Sequence, residues 1–261
     1  MADTTIMMVT YNRLKLTKET FELALNTAGK KFNLVIVDNG STDGTVEWLR
    51  ERKSNIFGQF LTLVILPENK GIAYGRNAAL KAAREAYPET KYFCTLDNDI
   101  GIREGWLTDC CEVVEHVPRI GMCGVNLEGN TYPQAKVKLN GRPFTIQIKP
   151  RGNLGAVCTV FTKEVQKKVG YFCEDYKLYG HEDADYGFRI RMLGMGLAYL
   201  DEPGTDLCEV HKGIDEGEYR DFKNKLFKDN LGMFQRNAAG YARKSKPLYV
   251  DFSEDISAFT E

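Results

Sequence analysis

The sequence predicts an α/β protein built on a mainly parallel β-sheet, with helices on both faces. Three observations carry this prediction: short apolar runs alternate with segments of helical periodicity, the runs are almost entirely apolar, and two of them end in aspartate. Such runs are typical of strands buried on both faces, and their alternation with helices is typical of parallel βαβ units. Ligands of such sheets bind at the carboxyl ends of the strands, so the aspartates mark the expected position of a site.

The first half of the chain shows the alternation most clearly. Four runs are predicted as strands: residues 5–9, 34–37, 60–66 and 92–96. After the first run, Leu14, Phe21 and Leu25 recur at helical spacing and predict an amphipathic helix. Turn formers at residues 39–44 precede another helix, which is predicted to begin near Thr45.

The second half is predicted to be mixed rather than parallel. Residues 121–125 and 155–161 have strand character, and the Asn-Gly pair at 140–141 is typical of a two-residue hairpin turn. A helix is predicted to begin near Glu182. The segment 214–252 is predicted to add one or two helices packed against the main domain.

The composition narrows the functional classes. The chain has 261 residues, enough for one large α/β domain or a domain with a small appendage. Its net charge of −1 predicts no general attraction to nucleic acid or to an anionic membrane. We expect neither a signal peptide nor a membrane span, because no suitable apolar run is present. Seven cysteines without a C-x-x-C pair favour reduced thiols and a cytoplasmic location over a disulfide framework or a zinc site.

The fourth apolar run ends in the most informative stretch of the chain, Asp97, Asn98 and Asp99. Two carboxylates this close repel each other unless a cation or hydrogen-bond donors stabilise them. Oxygen ligands suit a hard divalent ion that also binds substrate phosphates, which favours Mg²⁺ or Mn²⁺ over Zn²⁺. The alternative interpretation is an ordinary exit from a strand into a turn, where Asp and Asn are common.

Three further places indicate a site less specifically. Asp38 ends the second predicted strand and is expected at the same sheet edge as Asp97. Glu182 and Asp183 lie at a predicted helix start, where the macrodipole favours acids without any catalytic role. His211 follows an apolar run, and a lone histidine in that position is more often structural than a ligand.

Five short motifs together resemble the family-2 glycosyltransferases, which have the Rossmann-like GT-A fold. The motifs are VTYNR at 9–13, VDNGSTDG at 37–44, NKG at 69–71 with Arg76 and Asn77, LDND at 96–99, and GHEDAD at 180–185. Each motif alone is weak, but five in this order and spacing make the resemblance specific. It extends from the first strand to about His211.

The resemblance also implies a domain organisation. A GT-A glycosyltransferase domain is expected over 1–213, with a nucleotide-sugar-binding half at 1–99 and an acceptor and catalytic half at 100–213. Residues 214–261 lie mostly beyond the resemblance and are expected to form a helical extension packed on that domain.

The activity that the resemblance implies is metal-dependent transfer of a sugar from a nucleotide diphosphate donor, a UDP-sugar such as UDP-glucose, to an acceptor hydroxyl with inversion. Donors carrying guanine or thymine stay open. The residues implied in donor binding are Thr10, Tyr11, Asn12, Arg13, Asp38, Arg76, Asp97 and Asn98. Asp99, Asp97 and His211 are implied to hold Mn²⁺ or Mg²⁺, which stabilises charge developing on the departing diphosphate.

An inverting displacement needs a base on the face opposite the leaving group, to accept the proton of the acceptor. The resemblance implies that Asp183 is this base, with Glu182 and His181 orienting the acceptor or supporting Asp183. By analogy Trp106 forms part of a wall for a sugar ring, with core packing as the stronger interpretation. The chain departs from many relatives at Ile100, where they carry a further acid.

Two other functional classes stay open at this point. Sugar-nucleotide nucleotidyltransferases share the parallel sheet and the metal, but they need a glycine-rich phosphate loop after the first strand, and this chain has no glycine there. The second class is a non-catalytic nucleotide-sugar sensor.

The acceptor is the least determined part of the prediction. A glycan or a small molecule is the default, and hydroxylated bases of modified DNA are the alternative. The alternative depends on basic positions in two stretches: Lys136, Lys138, Arg142, Lys149 and Arg151, and then Arg236, Arg243, Lys244 and Lys246. Binding through such a surface would weaken steeply with salt.

Overall fold

A computed structural model describes residues 2–57, 60–126, 131–139, 141–200 and 217–261. Nine strands lie within these ranges: β1 (Thr4–Thr10), β2 (Asn33–Asp38), β3 (Leu61–Ile65), β4 (Tyr92–Asp97), β5 (Ile120–Val125), β6 (Gln134–Leu139), β7 (Arg142–Lys149), β8 (Cys158–Thr162) and β9 (Gly196–Leu200). Seven α-helices also lie within them: α1 (Leu14–Thr27), α2 (Thr45–Arg52), α3 (Ile72–Ala86), α4 (Trp106–His116), α5 (Lys163–Val169), α6 (Glu182–Met192) and α7 (Gly217–Ala242).

The strands form one sheet in the order β3-β2-β1-β4-β8-β5-β9-β7-β6. The first four strands of that order, β3, β2, β1 and β4, run parallel to one another. Strand β8 is antiparallel to both β4 and β5, β9 is parallel to β5, and the β6–β7 hairpin forms the far edge. The predicted α/β class is confirmed, with a parallel first half and a mixed second half.

Helices cover both faces of this sheet, as predicted. Alternate residues of a strand point to opposite faces, so Ile6 and Met8 enter one buried apolar cluster and Met7 enters the other. The first cluster includes Phe21 of α1, Trp48 of α2 and residues of α4. The second includes residues of α3, α5, α6 and the C-terminal tail. Both faces are therefore buried along β1 to β4, which is why these strands are mainly apolar, whereas β6 at the edge exposes Gln134, Lys136 and Lys138.

Several predicted elements are confirmed at their boundaries. Helix α2 begins at Thr45 and helix α6 begins at Glu182, as the sequence indicates. The predicted hairpin is also present, because Leu139 of β6 pairs with Arg142 of β7 across a two-residue turn. Asn140 of that turn lies outside the described residues.

Other elements differ from the prediction. Strand β9 has no counterpart among the predicted strands. Its apolar residues follow closely on the apolar residues at the end of α6, so the sequence pattern does not separate the two elements. The two elements are separated by Gly194, whose φ of +77° ends the helix. Strand β8 begins at Cys158, later than the predicted 155. The apolar run at 207–210 and His211 fall within 201–216, outside the described residues.

The C-terminal segment packs on the rest of the chain. After α7 the backbone forms a parallel bridge between Val250 and Gly170, and Phe252 is buried in the second apolar cluster. The predicted boundary between 1–213 and 214–261 lies outside the described residues, so this division stays a prediction. In the described part of the chain, no helix has both the length and the apolar character needed to cross a bilayer.

A fully buried ion pair holds α6 against this segment. Arg189 Nε lies 2.6 Å from Asp185 Oδ1, and neither side chain has exposed surface. The other carboxylate oxygen of Asp185 accepts hydrogen bonds from the hydroxyls of Tyr176 and Tyr241, each at 2.9 Å. The Arg189 guanidinium also donates to three backbone carbonyls. These contacts fix the position of the helix that carries Asp183.

Candidate active site

One open cleft, about 230 Å³ in volume, lies at the carboxyl ends of β1 and β4 and at the N-terminus of α6. The two strands are adjacent and parallel, with Val9 opposite Asp97, so their ends meet at this edge. The cleft is lined by ten of the predicted site residues: Thr10, Tyr11, Arg13, Arg76, Asp97, Asn98, Asp99, His181, Glu182 and Asp183. The carboxyl ends of β1 and β4 thus share one cleft with the start of α6.

Arg76 joins the end of β4 to the start of α6. Its guanidinium lies 3.0 Å from Asp97 Oδ1 and also contacts Glu182, the first residue of α6. Burial disfavours the charged guanidinium, but Asp97 and Glu182 outweigh that effect and raise the pKa of Arg76. Because Arg76 and Glu182 are both buried, this contact sets the spacing between β4 and α6.

The two carboxylates that contact Arg76 have raised pKa values. Burial raises the pKa of Asp97 to about 6; Arg76 opposes the shift and the nearby Asp99 adds to it. Burial also raises the pKa of Glu182, again opposed by Arg76 and reinforced by Asp183. Carboxylates with raised pKa values in a cleft mark a candidate functional site.

Asp99 is paired with an arginine from the loop after β1. Arg13 Nη1 lies 2.5 Å from Asp99 Oδ2, and the two side chains are 16% and 23% exposed. Each acid of the Asp97–Asp99 pair therefore contacts a different guanidinium.

Thr10 and Asn98 join the ends of β1 and β4 rather than projecting freely into the cleft. The Asn98 amide donates to Thr10 Oγ1 at 3.0 Å and to Thr17 Oγ1 at 2.9 Å. The two hydroxyls are themselves 2.7 Å apart. Their roles in donor binding stay predictions, and the structure gives both residues a part in positioning the site.

Asn12 and Asp38 do not line the cleft but shape the loops beside it. Asn12 has a φ of +48°, and its Oδ1 accepts a hydrogen bond from the Thr42 backbone N–H at 2.7 Å. Asp38 is buried, and its Oδ1 accepts from the Gly40 and Ser41 amides at 3.1 and 2.8 Å. Asp38 Oδ2 is buried without a hydrogen-bond partner among the described residues. Asp38 is 0% exposed and does not line the cleft, so its contact with a base stays a prediction.

Asp183 is oriented by a residue that the sequence interpretation missed. Its Oδ2 accepts a hydrogen bond from the Asn153 amide at 2.9 Å, and its Oδ1 lies 2.6 Å from the Ala184 backbone N–H. Asn153 precedes β8 in a loop, and no local pattern distinguishes it from the other turn formers there. Only its spatial contact with the first turn of α6 identifies it.

His181 faces α7. It has a φ of +72°, and its ring stacks on Phe227 with the centroids 4.1 Å apart. Its Nε2 lies 2.9 Å from the Phe227 carbonyl oxygen. Of the two predicted roles, these contacts fit support of the α6 start rather than contact with an acceptor. Helix α7 itself contributes Lys223 and Phe227 to the cleft, and the sequence motifs gave no signal for either.

One predicted residue is buried away from the cleft, another falls outside the described residues, and one basic position is not part of an open surface. Trp106, the first residue of α4, is completely buried in the core, so core packing is the role that the structure gives it. His211 belongs to the undescribed 201–216 stretch. Lys149, considered for an anionic acceptor surface, is buried against the rings of Tyr132 and Tyr199.

The carboxylates fit a divalent cation whose ligands come partly from the protein and partly from a substrate. Among the described residues, no three His, Cys, Asp or Glu side chains converge closely enough to hold a metal ion by themselves. Hard divalent ions are nevertheless often held by one or two carboxylates together with substrate phosphates. Asp99 already contacts a cationic group, the guanidinium of Arg13. Asp97, two positions earlier, is the last residue of β4. The oxygen donor set thus suits Mg²⁺ or Mn²⁺ bound together with a diphosphate.

Comparison with known proteins identifies the family. The profile described as "Glycosyl transferase family 2" matches residues 5–165. Poly-beta-1,6-N-acetyl-D-glucosamine synthase of Staphylococcus aureus (strain COL) is 26% identical over 209 residues, which cover 75% of this chain and 47% of the relative. The chain therefore spans about half the length of this curated relative.

Solved structures with the same fold extend the comparison. A mannosyltransferase from Pyrobaculum calidifontis, in complex with GDP-Man and Mn²⁺, has a TM-score of 0.56 at 20% identity over 93% of this chain and 74% of its own. GalNAc-T7 with UDP, GalNAc and Mn²⁺ has a TM-score of 0.59 at 10% identity over 76% of this chain and 42% of its own. At these identities the likeness concerns the fold. Because the family profile covers more than half of the sequence, the chain belongs to glycosyl transferase family 2 and is a glycosyltransferase with the GT-A fold.

Proposed function

We propose that this protein transfers a sugar from a UDP-sugar, such as UDP-glucose, to an acceptor hydroxyl, with inversion and with a divalent metal, Mn²⁺ or Mg²⁺. The observation that carries the proposal is the convergence of Asp97, Asp99 and Asp183 on one cleft. Inverting transfer needs two functions facing each other: stabilisation of the departing diphosphate and a base for the acceptor. The cleft offers residues for both.

Asp99 and Asp97, with His211 as the predicted further ligand, would hold the metal. When bound, a divalent ion offsets the negative charge that develops on the leaving diphosphate. Arg13, from the loop after β1, and Arg76, from α3, are cationic side chains that line the cleft. Arg76 is held by Asp97 and Glu182, so it acts mainly by keeping these carboxylates in position.

Asp183 is proposed to accept the proton of the acceptor hydroxyl. Asn153 holds one of its oxygens, and the anchored Glu182 fixes the turn of α6 from which it projects. A base held in this way keeps its orientation while the acceptor enters, and that preorganisation is worth more than additional basicity.

Support for the donor comes from the similar proteins. The structures of similar fold contain GDP-Man with Mn²⁺ in one case, and UDP, GalNAc and Mn²⁺ in the other. The name of the staphylococcal relative, a polysaccharide synthase, favours a glycan acceptor over a modified base of DNA. Burial of Lys149 also weakens the case for DNA.

Nucleotide binding is expected to raise the melting temperature selectively. UDP with Mn²⁺ should stabilise the folded chain by about 2.7 kcal/mol at 100 times its dissociation constant, because it binds the folded state. A thermal-shift panel of UDP, GDP and dTDP, each with and without Mn²⁺, measures this effect. A larger shift with GDP would reassign the donor base, and the absence of a shift with every diphosphate would contradict the proposed function.

Asp99→Ala is expected to weaken metal-dependent UDP binding by roughly 10-fold or more, because it removes a metal ligand. His211→Ala should act in the same direction, and normal binding and turnover in that variant would make His211 structural. Isothermal titration of UDP with and without Mn²⁺ separates the metal-dependent part of the affinity. Asp221→Ala, which removes an exposed carboxylate of α7, is the control and should bind UDP normally.

A further inference from the structure

We propose that Arg13 competes with the divalent metal for Asp99 and thereby couples metal entry to arrival of the diphosphate. The inference rests on the proposed function of the cleft and assigns Arg13 a positioning role within it. The observation that carries the inference is the direct ion pair between Arg13 Nη1 and Asp99 Oδ2, at 2.5 Å. This is the same carboxylate that the metal would use as a ligand.

A divalent ion on Asp99 would come close to the guanidinium that already contacts the same carboxylate. A charge-assisted hydrogen bond of this length uses the oxygen directly, and a divalent ion at the same oxygen would meet the guanidinium at repulsive distance. The pair is also partly shielded from solvent, with side-chain exposures of 16% and 23%, so salt and water screen it less than a surface pair. Metal entry without nucleotide therefore has to displace Arg13 at a cost in free energy.

Arg13 is the arginine that can exchange partners. Arg76 is held on two sides by Asp97 and Glu182, and its side chain is 8% exposed. Arg13 instead lies in the loop between β1 and α1, at the N-cap position of α1 and directly after Asn12, whose φ is +48°. Arg13 therefore lies outside the contacts that Arg76 makes between β4 and α6.

A diphosphate supplies Arg13 with a replacement partner. Guanidinium groups bind phosphate oxygens through paired N–H donors, and Arg13 lines the cleft beside Asp99. When the nucleotide enters, Arg13 passes from carboxylate to phosphate and Asp99 becomes available to the metal. Diphosphate and metal then strengthen each other's binding, and this coupling must be reciprocal.

The test is Mn²⁺ binding measured without nucleotide and then with UDP, by isothermal titration and by the electron paramagnetic resonance signal of free Mn²⁺. Arg13→Gln is expected to bind Mn²⁺ alone roughly 5-fold tighter than the unmodified chain, and the gain in Mn²⁺ affinity on adding UDP should shrink by at least a similar factor. Lys15→Gln removes the same charge from an exposed position nearby, 88% exposed, and should change neither quantity.

The inference is overturned if Arg13→Gln binds Mn²⁺ alone no more tightly than the unmodified chain or than Lys15→Gln. Arg13→Lys keeps the charge but loses the planar fork. The Mn²⁺ affinity of Arg13→Lys should lie between those of the unmodified chain and Arg13→Gln. If Arg13→Gln does not fold, Arg13→Lys is used in its place for the same test. Asp99→Asn separates the two proposals: if it leaves Mn²⁺ binding unchanged, the metal site of the proposed function fails. If it abolishes binding while Arg13→Gln has no effect, only the competition fails.

Discussion

Asp183→Asn is expected to lower turnover by roughly 10²–10⁴-fold, because the amide cannot accept the proton of the acceptor hydroxyl. Donor binding should stay close to normal, since Asp183 projects from α6 and not from the strand ends that carry Asp97 and Asp99. Asparagine is also nearly the same size as aspartate, so the turn at the start of α6 should keep its shape. Steady-state transfer rates, together with UDP titration in the presence of Mn²⁺, measure the two effects separately.

The control for this change is Asp251→Asn, which makes the same substitution at an exposed position of the C-terminal tail. It should leave turnover unchanged. A second comparison is Asn153→Ala, which removes the amide that holds Asp183 Oδ2 and should lower turnover less than loss of the base itself. Preserved turnover in Asp183→Asn would reassign the base, and equal losses of turnover and UDP affinity would give Asp183 a structural role.

Arg189→Met is expected to lower the free energy of unfolding by about 3–5 kcal/mol, because it leaves the Asp185 carboxylate buried without its counter-ion. Both side chains are completely buried, so water cannot replace the lost guanidinium without opening the structure. The three backbone carbonyls to which Arg189 donates would also lose their partner. Urea denaturation followed by circular dichroism measures the change.

Two variants test whether the uncompensated charge is the cause. Adding Asp185→Asn to Arg189→Met removes that charge but keeps an oxygen for the hydroxyls of Tyr176 and Tyr241, so it should recover part of the loss. Arg191→Met is the matched control on the same helix, because Arg191 donates to backbone carbonyls from a partly exposed position. Its effect should be clearly smaller. Equal losses for Arg189→Met and Arg191→Met would rule out the buried charge as the origin.

The predictions for stability and for activity both concern residues of α6. Its first turn carries Glu182 and Asp183, and its middle carries the Arg189–Asp185 pair that fixes it to the C-terminal segment. A milder change in the ion pair that leaves the chain folded is therefore expected to lower turnover through a displaced Asp183. Loss of α7 contacts at His181 should act similarly, because the histidine ring is stacked on Phe227.

Local sequence pattern was sufficient for much of the architecture and for the acids of the site. The apolar runs that became β1 to β4 have no polar face, which indicates burial on both sides, and Asp38 and Asp97 end two of them. Since parallel strands present their carboxyl ends at one edge, the sequence places both acids at that edge. It does not show that β1 separates their strands or that Asp38 stays outside the cleft. The family motifs add the start of α6, with Asp183, to the same region.

The tertiary structure decided what each of these residues touches. Periodicity and motif spacing describe short stretches of chain, whereas the pairs of Arg13 with Asp99 and of Arg76 with Glu182 join residues 86 and 106 positions apart. The sequence likewise determined that Asp183 begins a helix, but the orientation of its carboxylate by Asn153 depends on how a loop packs beside α6. The chain by itself determined the sheet and the acids at its edge. The partners of those acids depend on long-range packing, which brings together residues that no local pattern connects.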